Sequence, residues 1–280
     1  MKRVTVLMDN LVQNVIWVMG AVLALLILVR VVLVSRGRFS TGHSQGISQT
    51  CGTRDVQEDC HAVRRSGRSV LAVLADGMGS NQGGSVSSSL AVESVLDVFE
   101  RDKAFHNPNY FFQKSLRQAN RRILDQLEEG TGGASVAIVL IERLTLSYAV
   151  VGNVKVAVLR GGELVPITEG HTVNVLAEKK YLEGSLTRQT TIALLQEQRL
   201  YNFVGRDEFD IEVFDQPIQL QRGDIVALMT DGVYDTVPYS ELEDLMRRGR
   251  DCQGKAEAII RAVDLAPGEK DNASVILIAV

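Results

Sequence analysis

Apolar and polar positions divide the chain into a long uncharged run and a larger region where short apolar stretches alternate with polar turns. From Asn10 to Val29 no residue is charged, and the apolar run resumes after Arg30 as VVLV. About 20 apolar residues span the hydrocarbon core of a bilayer. The pattern predicts one transmembrane helix over 10–34, with a short segment 1–9 before it and a polar linker 35–45 after it. A cleaved signal peptide would need a shorter apolar region and a small-residue cleavage site, which SRGRFSTGHS does not offer. A buried core helix fits less well, because no other stretch is so uniformly apolar.

Beyond residue 45 the periodicity changes. Strand-like runs fall at 46–51, 70–75, 134–141, 144–151, 155–160, 163–167, 209–214, 225–230 and 273–280. Tight turns such as RGGE at 160–163 imply antiparallel hairpins. Apolar residues at threes and fours predict helices over 84–101, 109–128 and 255–266, and a shorter one over 239–247. Many antiparallel strands with helices in two blocks indicate an α+β layered domain over 46–280. No internal repeat or low-complexity tract interrupts it.

Charge narrows the partners. Residues 1–38 hold five Lys/Arg and one acid, so the remainder carries 25 basic and 33 acidic residues, a balance of −8. A domain that acidic is a poor nucleic-acid binder, because phosphate neutralisation needs a basic face. Arg30, Arg36 and Arg38 flank the C-terminal end of the apolar run without an acid, and the positive-inside rule leans toward a cytoplasmic domain. Cys51, Cys60 and Cys252 form no C-x-x-C pair and read as reduced thiols, which leans the same way. The four histidines show no metal-ligand spacing, so any metal must be held mainly by oxygen, which favours Mg²⁺ or Mn²⁺ over zinc.

The candidate chemistry lies in acids placed alike at several strand ends. In LAVLADGMGSNQGG, residues 71–84, an apolar run stops at Asp76 and passes into a glycine-rich turn. Asp76 reads either as a turn former or as a metal ligand. GTRDVQEDC at 52–60 supplies Arg54, Glu58 and Asp59; DIVALMTDGVYD at 224–235 stops at Asp231, with Asp235 four residues on. GEKDNASVILIAV opens the last strand with Asp271 and Asn272. Asp235 fits equally a metal role and the N-cap of the following helix. Carboxylates converging from separate strand ends are what a hard divalent cation requires.

These stretches resemble the metal-dependent Ser/Thr protein phosphatases of type 2C, the PPM family. RDVQED stands for its R-x-x-N-E-D, ADGMGSNQGG for A-D-G-M-G-G-x-x-x-G, TDGVYD for T/S-D-G-[LV]-x-D, and KDNAS for its last strand start. The resemblance covers essentially the whole region from Gly46 to Val280. It implies a four-layer αββα sandwich, two antiparallel sheets flanked by helices, with a two-metal centre at one edge. It further implies that Asp76 bridges two ions, Mn²⁺ or Mg²⁺, with the Gly77 carbonyl on one of them. Asp231 and Asp271 would complete the second metal's ligand set, Glu58 and Asp59 would act largely through metal-bound waters, and Arg54 would hold the substrate phosphate. Arg54, Asp59 and Asp76 thus form the implied catalytic group, with a metal-activated water as nucleophile.

Several positions depart from the family pattern. The family's G-D-S-R is GNVK at 152–155, putting Asn153 where an acid helps bind a third metal with Asp235. D-H becomes Gly170-His171, Gly and His after G-M-G become Ser80 and Asn81, and Asn becomes Gln57. The lid-like stretch 172–205 keeps Arg199 and Gly205 and otherwise matches loosely. His171 reads as a loop residue and Cys60 as a small buried apolar group. The expected function is hydrolysis of phosphoserine and phosphothreonine on proteins by a membrane-anchored phosphatase, with a membrane Ser/Thr kinase as a natural counterpart. The alternative is a pseudophosphatase, a membrane-tethered module that binds phosphoproteins without hydrolysing them.

Overall fold

The computed structural model describes residues 43–127, 131–214, 216–249 and 251–280. Among them no helix is long and apolar enough to cross a membrane. The span expected at 10–34 lies outside the described residues.

Two antiparallel sheets form the centre. The first has strand order β1 (Ser44–Thr50), β11 (Ala273–Ala279), β10 (Ile225–Met229), β6 (Lys155–Arg160), β7 (Glu163–Pro166). The second runs β2 (Asp59–Ser66), β3 (Ser69–Gly79), β4 (Gly132–Glu142), β5 (Thr145–Val151), β8 (Glu212–Val213), with β9 (Ile218–Gln219) also on β5. Strand alternation gives each sheet two apolar faces. On β3, Val70, Ala72 and Leu74 point between the sheets, where they meet Val226 and Leu228 of β10 and Ile276 and Ile278 of β11. Leu71, Val73 and Ala75 point outward onto α1 (Gly83–Arg101) and α2 (Pro108–Gln126), where Phe111, Phe112 and Leu116 are buried. The first sheet's outer face carries α6 (Tyr239–Arg247) and α7 (Cys252–Leu265), through Leu242, Met246, Ile259 and Val263. The result is the expected four-layer αββα sandwich.

The strand and helix blocks fall largely where the pattern placed them, with several differences, among them the short strand β9 and a one-turn helix at Asp231–Tyr234 that were not expected. β2 was not expected, because DCHAVRRS lies at a sheet edge and its second half is exposed, so it shows no apolar alternation. α3 (Val173–Leu182) and α4 (Arg188–Leu194) were likewise not expected; each buries one residue, Ala177 and Thr191, so neither needs an apolar stripe. The strand expected over 209–214 is two residues long, β8. β3 continues three residues past Asp76, because the glycine-rich stretch keeps its ladder with β4 from Asp76↔Ser135 to Gly79↔Gly132.

Candidate metal and phosphate site

Ladder register fixes the first pair of acids. Asp59 opens β2 directly opposite Asp76 of β3, and Ser135 of β4 stands on the other side of Asp76. The other two come from the facing sheet: Asp231 follows β10 and begins the short helix α5 (Asp231–Tyr234), and Asp271 precedes β11. A buried relay ties the sheets together at this end. Thr230 Oγ1 accepts from Ser274 N at 2.9 Å and donates to Asp59 Oδ2 at 3.1 Å.

Asn272 organises the loop before β2. Its Oδ1 accepts from Glu58 N at 2.7 Å, and its Nδ2 donates to the Cys51 and Val56 carbonyls, each at 3.0 Å. Gln57 bridges the same loop, accepting from Asp59 N and donating to Thr50 O. Sequence reasoning gave neither Thr230 nor Asn272 a role; the signal was their place beside Asp231 and Asp271.

The glycines after Asp76 are needed for close approach. A Cβ on Gly77 would lie 2.1 Å from Gly84 O and 2.7 Å from Glu58 O. One on Gly84 would lie 2.4 Å from Glu58 Oε1, so the Glu58 carboxylate rests against the first turn of α1. Arg54, Glu58, Asp76, Gly77, Asp231 and Asp271 all line one cleft of about 590 Å³, whose apolar walls include Met78, Leu200 and Phe203.

Electrostatics mark the cluster as unbalanced. Burial raises the Asp76 carboxyl well above the usual carboxylate range, and Asp231, Asp59, Asp271 and Glu58 push it further. Asp59 is raised to about 7, first by burial and then by Asp231 and Asp271. Asp231 and Glu58 shift upward from the same two causes, with Asp235 and Asp271 acting on Asp231 and Asp271 on Glu58. Asp59 Oδ1 is buried without a hydrogen-bond partner. An all-oxygen donor set, like charges crowded together and an unpartnered buried oxygen fit hard divalent cations. Among the described residues no three acidic, thiol or imidazole groups already enclose a single ion position. One reason is local: Asp271 is turned to Arg54 at 2.8 Å, and its other oxygen accepts from Asn272 N.

Asn153 and Asp235, expected at a third site, line one smaller cleft with Asp231. Asn153 Oδ1 accepts from Ser135 Oγ at 2.7 Å, and its Nδ2 donates to Asp231 Oδ2 at 2.9 Å. Asp235 ends α5 in a helical conformation, and Pro238 holds the N-cap position of α6, so Asp235 is not that helix's N-cap. His171 is buried, its Nδ1 accepting from Gly152 N at 2.9 Å, with its ring edge-on to Tyr201. Cys60 is half-buried against the core under α1 and α2.

This arrangement places the chain among proteins that gather acidic side chains at one end of an αββα sandwich. It belongs to the protein phosphatase 2C family, whose model matches residues 52–263. It is 26% identical over 225 residues to protein phosphatase PhpP of Streptococcus pneumoniae, covering 78% of this chain and 89% of that protein. It is 24% identical over 215 residues to serine/threonine phosphatase stp of Listeria monocytogenes, covering 74% and 83%. Among solved structures, the serine/threonine phosphatase of S. agalactiae superposes with a TM-score of 0.72 at 20% identity, over 85% of this chain and 99% of that one. The catalytic domain of the serine threonine protein phosphatase PstP, solved with two manganese ions, gives 0.67 at 22% identity, over 85% and 97%.

Proposed function

We propose that this chain is a metal-dependent protein phosphatase that removes phosphate from phosphoserine and phosphothreonine on proteins. One observation carries the reading: Asp59, Asp76, Asp231 and Asp271 converge from four segments of the two sheets, with Asp231, Asp59 and Asp271 all raising the buried Asp76 carboxyl, beside the Arg54 guanidinium. Asp76, the Gly77 carbonyl, Asp231 and Asp271 would hold two Mn²⁺ or Mg²⁺ ions, with Glu58 and Asp59 behind them. Such ions supply Lewis acidity to the phosphoryl group and to the attacking water. Arg54 offers a planar fork suited to phosphate oxygens, and its exposed position at the cleft lets it turn from Asp271 to substrate. Met78, Leu200 and Phe203 give the cleft apolar walls against the substrate's side chain. The Thr230 and Asn272 hydrogen bonds hold Asp59 and Glu58 in place.

The apolar run at 10–34 supports a single membrane anchor, and its basic C-terminal flank supports a cytoplasmic phosphatase domain. Tethering raises the effective concentration at membrane partners, and a membrane Ser/Thr kinase and its substrates are the partners that chemistry suits. The test is phosphate release from a phosphothreonine peptide by the purified chain, with Mn²⁺ and with chelator. Release that depends on Mn²⁺ supports the enzyme; binding of the phosphopeptide without release, at any Mn²⁺ concentration, supports the pseudophosphatase.

A further inference from the structure

The strands that carry the acids of the metal site run to an opposite end, and that end is basic. Asp76 stands about 24 Å along β3 from Ser69, at the usual rise per strand residue. Arg68 sits in the β2–β3 turn and Arg143 in the β4–β5 turn, and the two turns are joined, Arg143 N donating to Arg68 O at 3.1 Å. His43 Nε2 lies 3.0 Å from the same carbonyl, so the chain enters its first strand at this end. Ser44 then pairs with Ala279, and Gly223 N donates to Val280 O at 2.9 Å, which brings Arg222 and the turn before β10 alongside. Arg64 and Arg65 lie on the exposed second half of β2.

Arg64, Arg65, Arg68, Arg143 and Arg222 are all exposed, and among the described residues none of them forms an ion pair. Arg160, in the β6–β7 hairpin of the same end, is neutralised by Asp224 at 2.6 Å. The exposed acids of these turns are Glu142 and Glu163. In a region whose balance is −8, such a patch is a local reversal of charge. Guanidinium groups bind phosphate oxygens through a planar fork. The chain itself says which phosphate surface is near. Residues 35–42, SRGRFSTG, join His43 to the apolar run at 10–34 and add Arg36 and Arg38 without an acid. That linker reaches about 30 Å at most, so with 10–34 in a bilayer the headgroups stand within reach of this end and not of the opposite one alone.

We propose that this basic end is a docking face for anionic lipid headgroups. Docking turns the acids of the metal cleft away from the bilayer, since they lie at the other end of the same strands. The phosphosites in reach are then on protein segments that stand clear of the headgroups. This rests on the membrane-anchor reading of 10–34 and is independent of the number of metal ions bound.

The full chain is placed in lipid nanodiscs of phosphatidylcholine, alone or with phosphatidylserine, and modification of each arginine by phenylglyoxal is followed by mass spectrometry. Arg199, exposed on the wall of the metal cleft, is the internal reference. With phosphatidylserine, Arg68, Arg143 and Arg222 should react about fivefold more slowly than in phosphatidylcholine alone, and Arg199 at the same rate in both. High salt should remove the difference, because exposed charges are screened. In Arg68→Gln combined with Arg143→Gln, Arg222 should lose its protection. That variant should melt as wild type does and release phosphate from a soluble phosphopeptide at the wild-type rate. Arginine rates that are equal in the two discs overturn the proposal, as does equal slowing of Arg199. Protection already present in detergent overturns it too, because a second copy of the chain then covers the face. Co-elution with phosphatidylcholine discs at high salt tests the anchor separately. If the chain does not co-elute, the anchor reading fails, and the same arginine rates, read with phosphatidylserine discs added to the free chain, still decide the docking.

Discussion

Arg54 Nη2 lies 2.8 Å from Asp271 Oδ2, so the cation suited to phosphate and a carboxylate suited to metal form one pair. Both side chains are about half exposed or more, at 60% and 49%. Such a pair contributes about 0–1 kcal/mol to stability, so its importance lies in what each partner does when separated. Arg54→Ala should shift the melting temperature by no more than about 4 °C. Loss of a charge-assisted hydrogen bond, about 1.5–3 kcal/mol, should lower kcat/KM for a phosphopeptide by roughly 10–150-fold. Steady-state kinetics beside a melting curve checks both halves; an unchanged kcat/KM would remove Arg54 from phosphate binding.

Asn153 gives a second handle on the acidic cluster. Asn153→Asp replaces the donor to Asp231 with a like charge at the same 2.9 Å contact. Losing a hydrogen bond to a charged group costs about 1.5–3 kcal/mol, or roughly 3–12 °C for a domain of this size. The variant should melt lower in chelator and recover when Mn²⁺ is supplied, because a cation offsets the added repulsion. Equal melting of both proteins in chelator would show that the Asn153 hydrogen bond carries no weight.

The pH dependence has a definite sign. Asp59 is raised to about 7 in the folded protein, and Asp76, Asp231 and Glu58 are raised too, with burial the leading cause in each. Between the ordinary carboxylate range and these raised values the folded state binds more protons than the unfolded one. Stability therefore falls as pH rises through that window. In chelator the melting temperature should be higher at about pH 5.5 than at about pH 8. Mn²⁺ should narrow or reverse the difference, since metal ligands must be deprotonated. A melting temperature that climbs with pH in chelator would contradict the repulsion described for this cluster.

Gly77 separates site geometry from general stability. Gly77→Ala would drive a methyl group to within 2.1 Å of Gly84 O and 2.7 Å of Glu58 O, both backbone atoms. Overpacking of this kind costs about 1–3 kcal/mol and should displace Glu58, weakening Mn²⁺ binding. Ile138→Ala, in the core under α1 and α2, should cost about 2–5 kcal/mol and leave the Mn²⁺ midpoint unchanged. Titrating Mn²⁺ against both variants compares them; equal midpoints would mean that the tight turn does not shape the site.

What was legible in the sequence was whatever burial writes into apolar spacing. β4 and β10 are buried along nearly their whole length and β3 is buried throughout 70–75, and their runs of Val, Leu, Ile and Ala stand out. β2 is an edge strand with Arg64 and Arg65 toward solvent, and α3 rests one alanine on the core, so neither leaves a periodic trace. The acids were legible because each sits where an apolar run stops. Their partners were not, because Thr230, Asn272 and Ser135 act through hydrogen bonds between segments distant in sequence. Lys155 shows the same limit. Its residue type was visible in GNVK, but its place over the Tyr234 and Tyr239 rings depends on segments distant in sequence.

The most direct measurement of the central claim is the rate of phosphate release from a phosphothreonine peptide as a function of Mn²⁺ concentration, for the wild-type chain and Asp76→Asn. Asp76 is the carboxylate acted on by all four neighbouring acids, Asp231, Asp59, Asp271 and Glu58. If the cluster exists to bind divalent cations for phosphate ester hydrolysis, the wild-type rate should rise from zero to a plateau with Mn²⁺, and chelator should abolish it. Asp76→Asn should stay near zero at every concentration, because it would remove the buried negative charge at the centre of the proposed cation site. Wild-type release that survives thorough chelation, or an Asp76→Asn curve that matches wild type, would contradict the account.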